Sequence, residues 1–168
     1  EGGQRLEPGA YEAKILDVKY INGENGNSDR IELAFDITEG DFIDHFRKLY
    51  ESSTDENKKW KGKTTLYVPK GDGTEKDGWT AKTLARWTNA FEDSNEGYSW
   101  DWDESKWKGL KVGLIFGAVG NVIDGKEVTY TECRFPASVQ KVKDGTCKIP
   151  DFKAKNGYTG NQTTASTD

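Results

Sequence analysis

Apolar positions alternate with polar ones along GAYEAKILDVKYI (residues 9–21), but in two phases: Tyr11, Ala13 and Ile15 share one parity, and Leu16, Val18 and Tyr20 the other. A strand whose inward parity switches needs one extra residue, so the pattern predicts a long, bulged first strand that can bend into both halves of a small barrel. The turn-rich NGENGNS (22–28) follows, and RIELAFDI (30–37) then alternates in a single phase, with Ile31, Leu33, Phe35 and Ile37 inward. In DFIDHFRKLY (41–50) the spacing becomes helical: Phe42, Ile43, Phe46, Leu49 and Tyr50 share a face, and Asp41 is placed to cap the N-terminus.

Beyond the polar linker ESSTDENKK, KTTLYVP (63–69) reads as a strand and TAKTLARWTNAFE (80–92) as a helix. Leu84, Trp87 and Phe91 line the apolar face of that helix, joined by Ala81 and Ala85. LKVGLIF (110–116) is a strand, and NVIDGKEVTYTECRF (121–135) a hairpin whose Asp124-Gly125 pair suits a type I′ turn. ASVQKVKDG prolongs the last strand.

The resulting order is bulged strand, strand, helix, strand, helix, strand, strand. It predicts a mainly β protein with α insertions: an OB-fold-like, five- to six-stranded Greek-key barrel with two short helices. A β-sandwich is the alternative. Residues 1–8 are read as an N-terminal extension, 9–155 as a single OB-like domain, and 156–168 (NGYTGNQTTASTD), poor in apolar residues, as a flexible tail.

Composition narrows the function. Of 168 residues, 33% are hydrophobic and 32% charged, yet 12% are aromatic, so the core is built from few, large side chains. No apolar run approaches the length of a membrane helix and the first residues carry no signal-peptide pattern, which predicts a cytoplasmic protein; a start at Glu1 and the absence of methionine suggest a trimmed product. Cys133 and Cys147 read as reduced thiols. The net charge of −5 argues against coating nucleic acid by bulk charge, but lysine is concentrated in KKWKGK (58–63), KWKGLK (106–111) and residues 140–155, apart from the acidic EDSNEGYSWDWDE (92–104).

The search for chemistry predicts no enzyme. His45 is the sole histidine, so no Ser-His or Cys-His pair has a choice of base. Asp101, Asp103 and Glu104 lack a distal acidic partner for magnesium, and GDGTEKDG lacks the spacing of a phosphate cradle. Neither a metal nor a cofactor is expected.

What remains is aromatic rings interleaved with lysine, the mixture that single-strand binders use: bases stack on the rings and phosphates meet the cations. The candidate contacts are Trp60 and Tyr67 for stacking, with Lys58, Lys59, Lys61, Lys63, Lys108, Lys111 and Arg134 near phosphates. Trp100, Trp102 and Trp107 either close the core or extend this platform. Trp100 and Trp102 share a parity, and the acids beside them favour the inward choice.

The stretches LAFDITEGDFIDHFRKLY, KKWKG and FEDSNEGYSWDWDESKWKGLKVGLIFG together resemble a family of small phage and prophage proteins encoded in replication modules. The resemblance runs from about Gly9 to Phe152. It rests chiefly on Asp36–Gly40, on Ser94, Asn95, Gly97, Tyr98 and Trp100, and on Lys108–Gly113. It implies an OB-like barrel that binds single-stranded DNA during replication or recombination, with a helicase or recombinase as possible partner, and it carries over no catalytic residue. Two other readings compete: an adaptor for such a replication protein, and a carbohydrate-binding β module that uses its tryptophans as sugar platforms.

Overall fold

The first strand bends where its apolar phase changes. The computed structural model describes residues 5–160. In it β1 (Gly9–Ile21) pairs antiparallel with β4 (Lys111–Ile123) through Gly9–Lys14 and with β2 (Arg30–Ile37) through Ala13–Ile21. The register shifts between Ile15 and Asp17, leaving Leu16 as the extra residue, turned out to solvent. Ala13 and Ile15 stay buried on one side of the bulge, and Val18, opposite Leu33, resumes the inward face on the other.

β3 (Lys63–Tyr67) adds to β2, and β5 (Lys126–Ala137) adds to β4 through a hairpin at Asp124 and Gly125. Both turn residues have positive φ, 53° and 78°, as a type I′ turn requires. The strand order is β3-β2-β1-β4-β5, and the two-residue β6 (Lys153–Ala154) runs parallel to β4. The described residues are thus mainly β, with one six-stranded mixed sheet. The strands of the expected OB-fold-like Greek-key barrel do not close on one another: among the described residues no ladder joins β3 to β5. A physical reason lies in the helix between them: α2 (Glu75–Ser94) packs on β3, β4 and β5, inserting Leu84, Trp87 and Phe91 into the core.

Three helices are present among the described residues rather than two short ones, and α2 is 20 residues long. It starts before residue 80 because Thr74 caps it, its hydroxyl accepting from the Asp77 N–H at 3.1 Å. Ala81 and Ala85 are exposed, and Thr88 and Ala90 are buried instead. α1 (His45–Ser52) starts later than expected, and its first turn is capped from a neighbouring strand, not by Asp41. The Asp36 carboxylate accepts from the N–H groups of Phe46 and Arg47 at 2.9 and 3.0 Å. ASVQKVKDG does not prolong β5 but forms α3 (Val139–Asp144), capped by Ser138 and stopped by Gly145 at φ 71°.

Leu6, expected in an extension, is buried in the core. At the other end the chain after α3 lies across β4: a Cβ on Gly120 would meet the Tyr158 ring at 2.6 Å and Phe152 at 2.7 Å. Residues 156–160, read as part of a flexible tail, are held there, the Thr159 N–H donating to Glu127 at 2.8 Å. The rest of that expected tail lies outside the described residues. Among the described residues no helix is long and apolar enough to cross a membrane.

Candidate nucleic-acid interface

Strand pairing arranges the outward side chains of the sheet in rows. Tyr67, Arg30 and Ile21 form one row, Thr65, Glu32 and Lys19 the next, and Lys63, Ala34 and Asp17 a third. Across the bulge Lys14 stands beside Lys111. Lys108 reaches the same face, with its ammonium 3.9 Å from Asp17. Six cations (Lys14, Lys19, Arg30, Lys63, Lys108, Lys111) therefore share this surface with Asp17 and Glu32. Glu32 in turn lies 3.9 Å from Arg30. Asp36, in the Lys14 row, is buried and turned to the N-terminus of α1. A net charge of −5 for the whole chain thus coexists with a locally electropositive face.

Aromatic rings border one end of that face. Tyr67, the last residue of β3, is 55% exposed, and Trp79 on α2 is 62% exposed. Tyr67 lines two adjoining grooves, of about 520 and 200 Å³. The first is bounded by Asn27, Ser28 and Arg30, the second by Trp79 and Thr83, and Lys76 and Thr80 line both. The local sequence holds this geometry. Lys76, Thr80 and Thr83 recur at helical spacing along one side of α2, and the Asp77 carboxylate ties the preceding loop to the helix, accepting from the N–H groups of Lys70 and Gly71 at 2.6 and 2.9 Å.

The nine residues expected from the sequence do not converge on one site. Lys63, Lys108 and Lys111 lie on the electropositive face, with Tyr67 at its border. Trp60 is half-buried at the opposite end of β3; its indole N–H donates to the Phe35 carbonyl at 3.0 Å and its ring lies 5.8 Å from Tyr50. Lys58 sits over the Tyr50 ring at 5.1 Å, while Lys59 and Lys61 point to solvent. Arg134 lines a different groove, on β5. Trp79, Arg30, Lys14, Lys19 and Lys76 were missed. The signal for Trp79 was the Thr74-x-x-Asp77 capping pattern, which starts the helix early enough to include it.

The tryptophan-rich stretch forms a graded column. Trp107, in a 3₁₀ turn at Glu104–Trp107, is fully buried, and its N–H donates to the Tyr98 hydroxyl at 2.9 Å. Ring centroids step outward from Phe91 to Trp107 at 4.9 Å, to Trp100 at 5.1 Å and to Trp102 at 5.4 Å. Trp102, at φ 66°, is 76% exposed, so Trp100 and Trp102 do not share an inward face. The acids beside them organise the loop: Asp101 holds Lys106, and Asp103 accepts from the Ser105 N–H at 3.1 Å.

His45 is buried against Phe42 and Phe46, and burial lowers its pKa. Burial pushes the Cys133 and Cys147 thiols up, away from the reactive thiolate form. No known protein family's profile matches the chain, and no curated protein is recognisably similar to it.

Proposed function

We propose that the protein is a non-catalytic single-stranded DNA-binding protein with an OB-type fold, acting in replication or recombination of a phage or related element. The observation that carries the reading is the pairing of two exposed rings, Tyr67 and Trp79, with a sheet face that presents six cations. Bases stack on rings with little sequence preference and phosphates seek cations, so this combination suits an unpaired strand. The connectivity agrees with it. A bent first strand shared between β2 and β4, with a helix between β3 and β4, is the connectivity expected of an OB barrel and supports the reading, with the β3–β5 seam left open. Oligonucleotides meet OB folds on strands 2 and 3 and the loop between strands 1 and 2, which here supplies Asn27 and Ser28.

The experiment is a titration of tryptophan fluorescence with a ~30-nucleotide oligothymidine at low and near-physiological salt. Saturable quenching that weakens as salt rises is the expected result. A flat titration at low salt overturns the proposal, and glycan binding indifferent to salt would favour the carbohydrate module.

A further inference from the structure

A groove of about 680 Å³ opens between α2, β5, α3 and the segment after α3, and it shares no lining residue with the grooves at Tyr67. Its cations are Arg86, Arg134, Lys141 and Lys148; its acids are Asp93 and Asp151. Arg134 is there because of a second bulge. Ile115 pairs with Phe135 and Phe116 with Cys133, so Arg134 is the extra residue of β5, and such a residue is free to be re-aimed. Gly117 makes room for it: a Cβ at that position would lie 3.0 Å from Nη1.

The positive charge of the groove is poorly compensated from within. Of those six charged side chains, only Arg134 makes an ion pair among the described residues, its Nε 3.9 Å from Glu132, and Glu132 lies closer to Lys155, at 3.1 Å. Arg134 Nη1 is sealed from solvent and has no hydrogen-bond acceptor among the described residues. The guanidinium of Arg86 stands 4.5 Å over the Phe135 ring and that of Arg134 at 5.8 Å, so two cations are gathered about one ring. The part of the Arg134 side chain that stays accessible, 16%, lines the groove, and a guanidinium fork matches a planar or tetrahedral oxyanion. The volume falls in the range of small-molecule sites and exceeds that of a bare ion.

We infer that this groove binds a small organic oxyanion, a carboxylate or phosphate compound, whose charge is met by Arg134 and Arg86. The site is separate from the proposed DNA surface and does not depend on it.

The test follows backbone amides of the full chain by NMR during titrations with citrate and, separately, inorganic phosphate, with ionic strength held constant by chloride. At least one titration is expected to saturate, with shifts confined to residues 86–93, 134–138 and 141–151. The two arms tell carboxylate from phosphate. Arg134→Gln is expected to weaken that affinity about tenfold or more; Arg86→Gln, at an exposed helix position, does the same should the first variant fail to fold, and leaves oligothymidine quenching unchanged. The inference is overturned by titrations that stay linear in both arms, by shifts centred on Lys14, Lys19 and Lys111, or by unchanged affinity in a folded variant.

Discussion

The indole N–H of Trp107 donates to the Tyr98 hydroxyl at 2.9 Å from a ring that has no exposed surface. This bond anchors Trp107 in the column Phe91–Trp107–Trp100–Trp102 and lets the largest of the fully buried side chains keep its polar atom satisfied.

Tyr98→Phe removes the acceptor and keeps the ring. The stranded N–H should cost about 1–3 kcal/mol of unfolding free energy in urea denaturation. Trp102→Ala, at the exposed end of the column, should cost no more than about 0.5 kcal/mol. Equal losses in the two variants would contradict the graded burial.

For DNA binding, Trp79→Ala and Tyr67→Ala should each weaken oligothymidine affinity by about 1–3 kcal/mol while leaving the melting temperature nearly unchanged. Trp60→Ala should do the reverse, because that ring packs on Tyr50 and bonds to the Phe35 carbonyl: stability falls by about 2 kcal/mol or more and affinity is kept in the folded fraction. Fluorescence titration and thermal melting of the three variants separate the two roles.

Charge on the sheet face is read by salt. For single strands each phosphate contact contributes roughly 0.7 to the slope of log affinity against log salt. Lys14→Gln with Lys111→Gln should therefore flatten the slope by about 1.4. Replacing Lys141 and Lys148 in the separate groove should leave it unchanged.

His45 gives a pH signature. Burial is the main cause of its lowered pKa, and Lys48 adds to it, while Asp36 opposes it. A histidine whose folded pKa lies below its unfolded value, about 6.5, binds fewer protons folded than unfolded. Its contribution is therefore complete above about pH 6.5 and is lost as pH falls toward the folded pKa. The melting temperature should drop between pH 7 and 5.5, and His45→Gln should abolish most of that drop, since no other histidine titrates there.

Local signals carried much of the fold into the sequence. The phase switch at Ile15 and Leu16 announced the bulge, because strand parity is written residue by residue, and Asp124-Gly125 announced its turn in the same way. What stayed hidden was non-local. The cap of α1 comes from Asp36 on β2, so Asp41 looked like the natural choice. Whether β3 meets β5 depends on how α2 packs, which no strand pattern records. The electropositive face arises only when Lys14, Lys19, Arg30, Lys63, Lys108 and Lys111 are brought together by pairing, and in the linear chain only the last three stand in lysine-rich stretches.

The two residues of β6 have a consequence beyond their size. β1 leaves β4 after Phe116, and the longer β4–β5 ribbon runs on to Ile123 with a strand edge to protect. Lys153 and Ala154 pair with Val119 and Gly120 on that edge, and the Lys155 N–H donates to the Gly120 carbonyl at 2.8 Å. An uncovered edge is a template for self-association, whereas a very short strand that begins with Lys153 and is followed by Lys155 offers a second chain little to extend. This segment therefore shields the β4 edge at Val119 and Gly120 from a second chain, and a chain cut before Lys153 should aggregate before it loses its core.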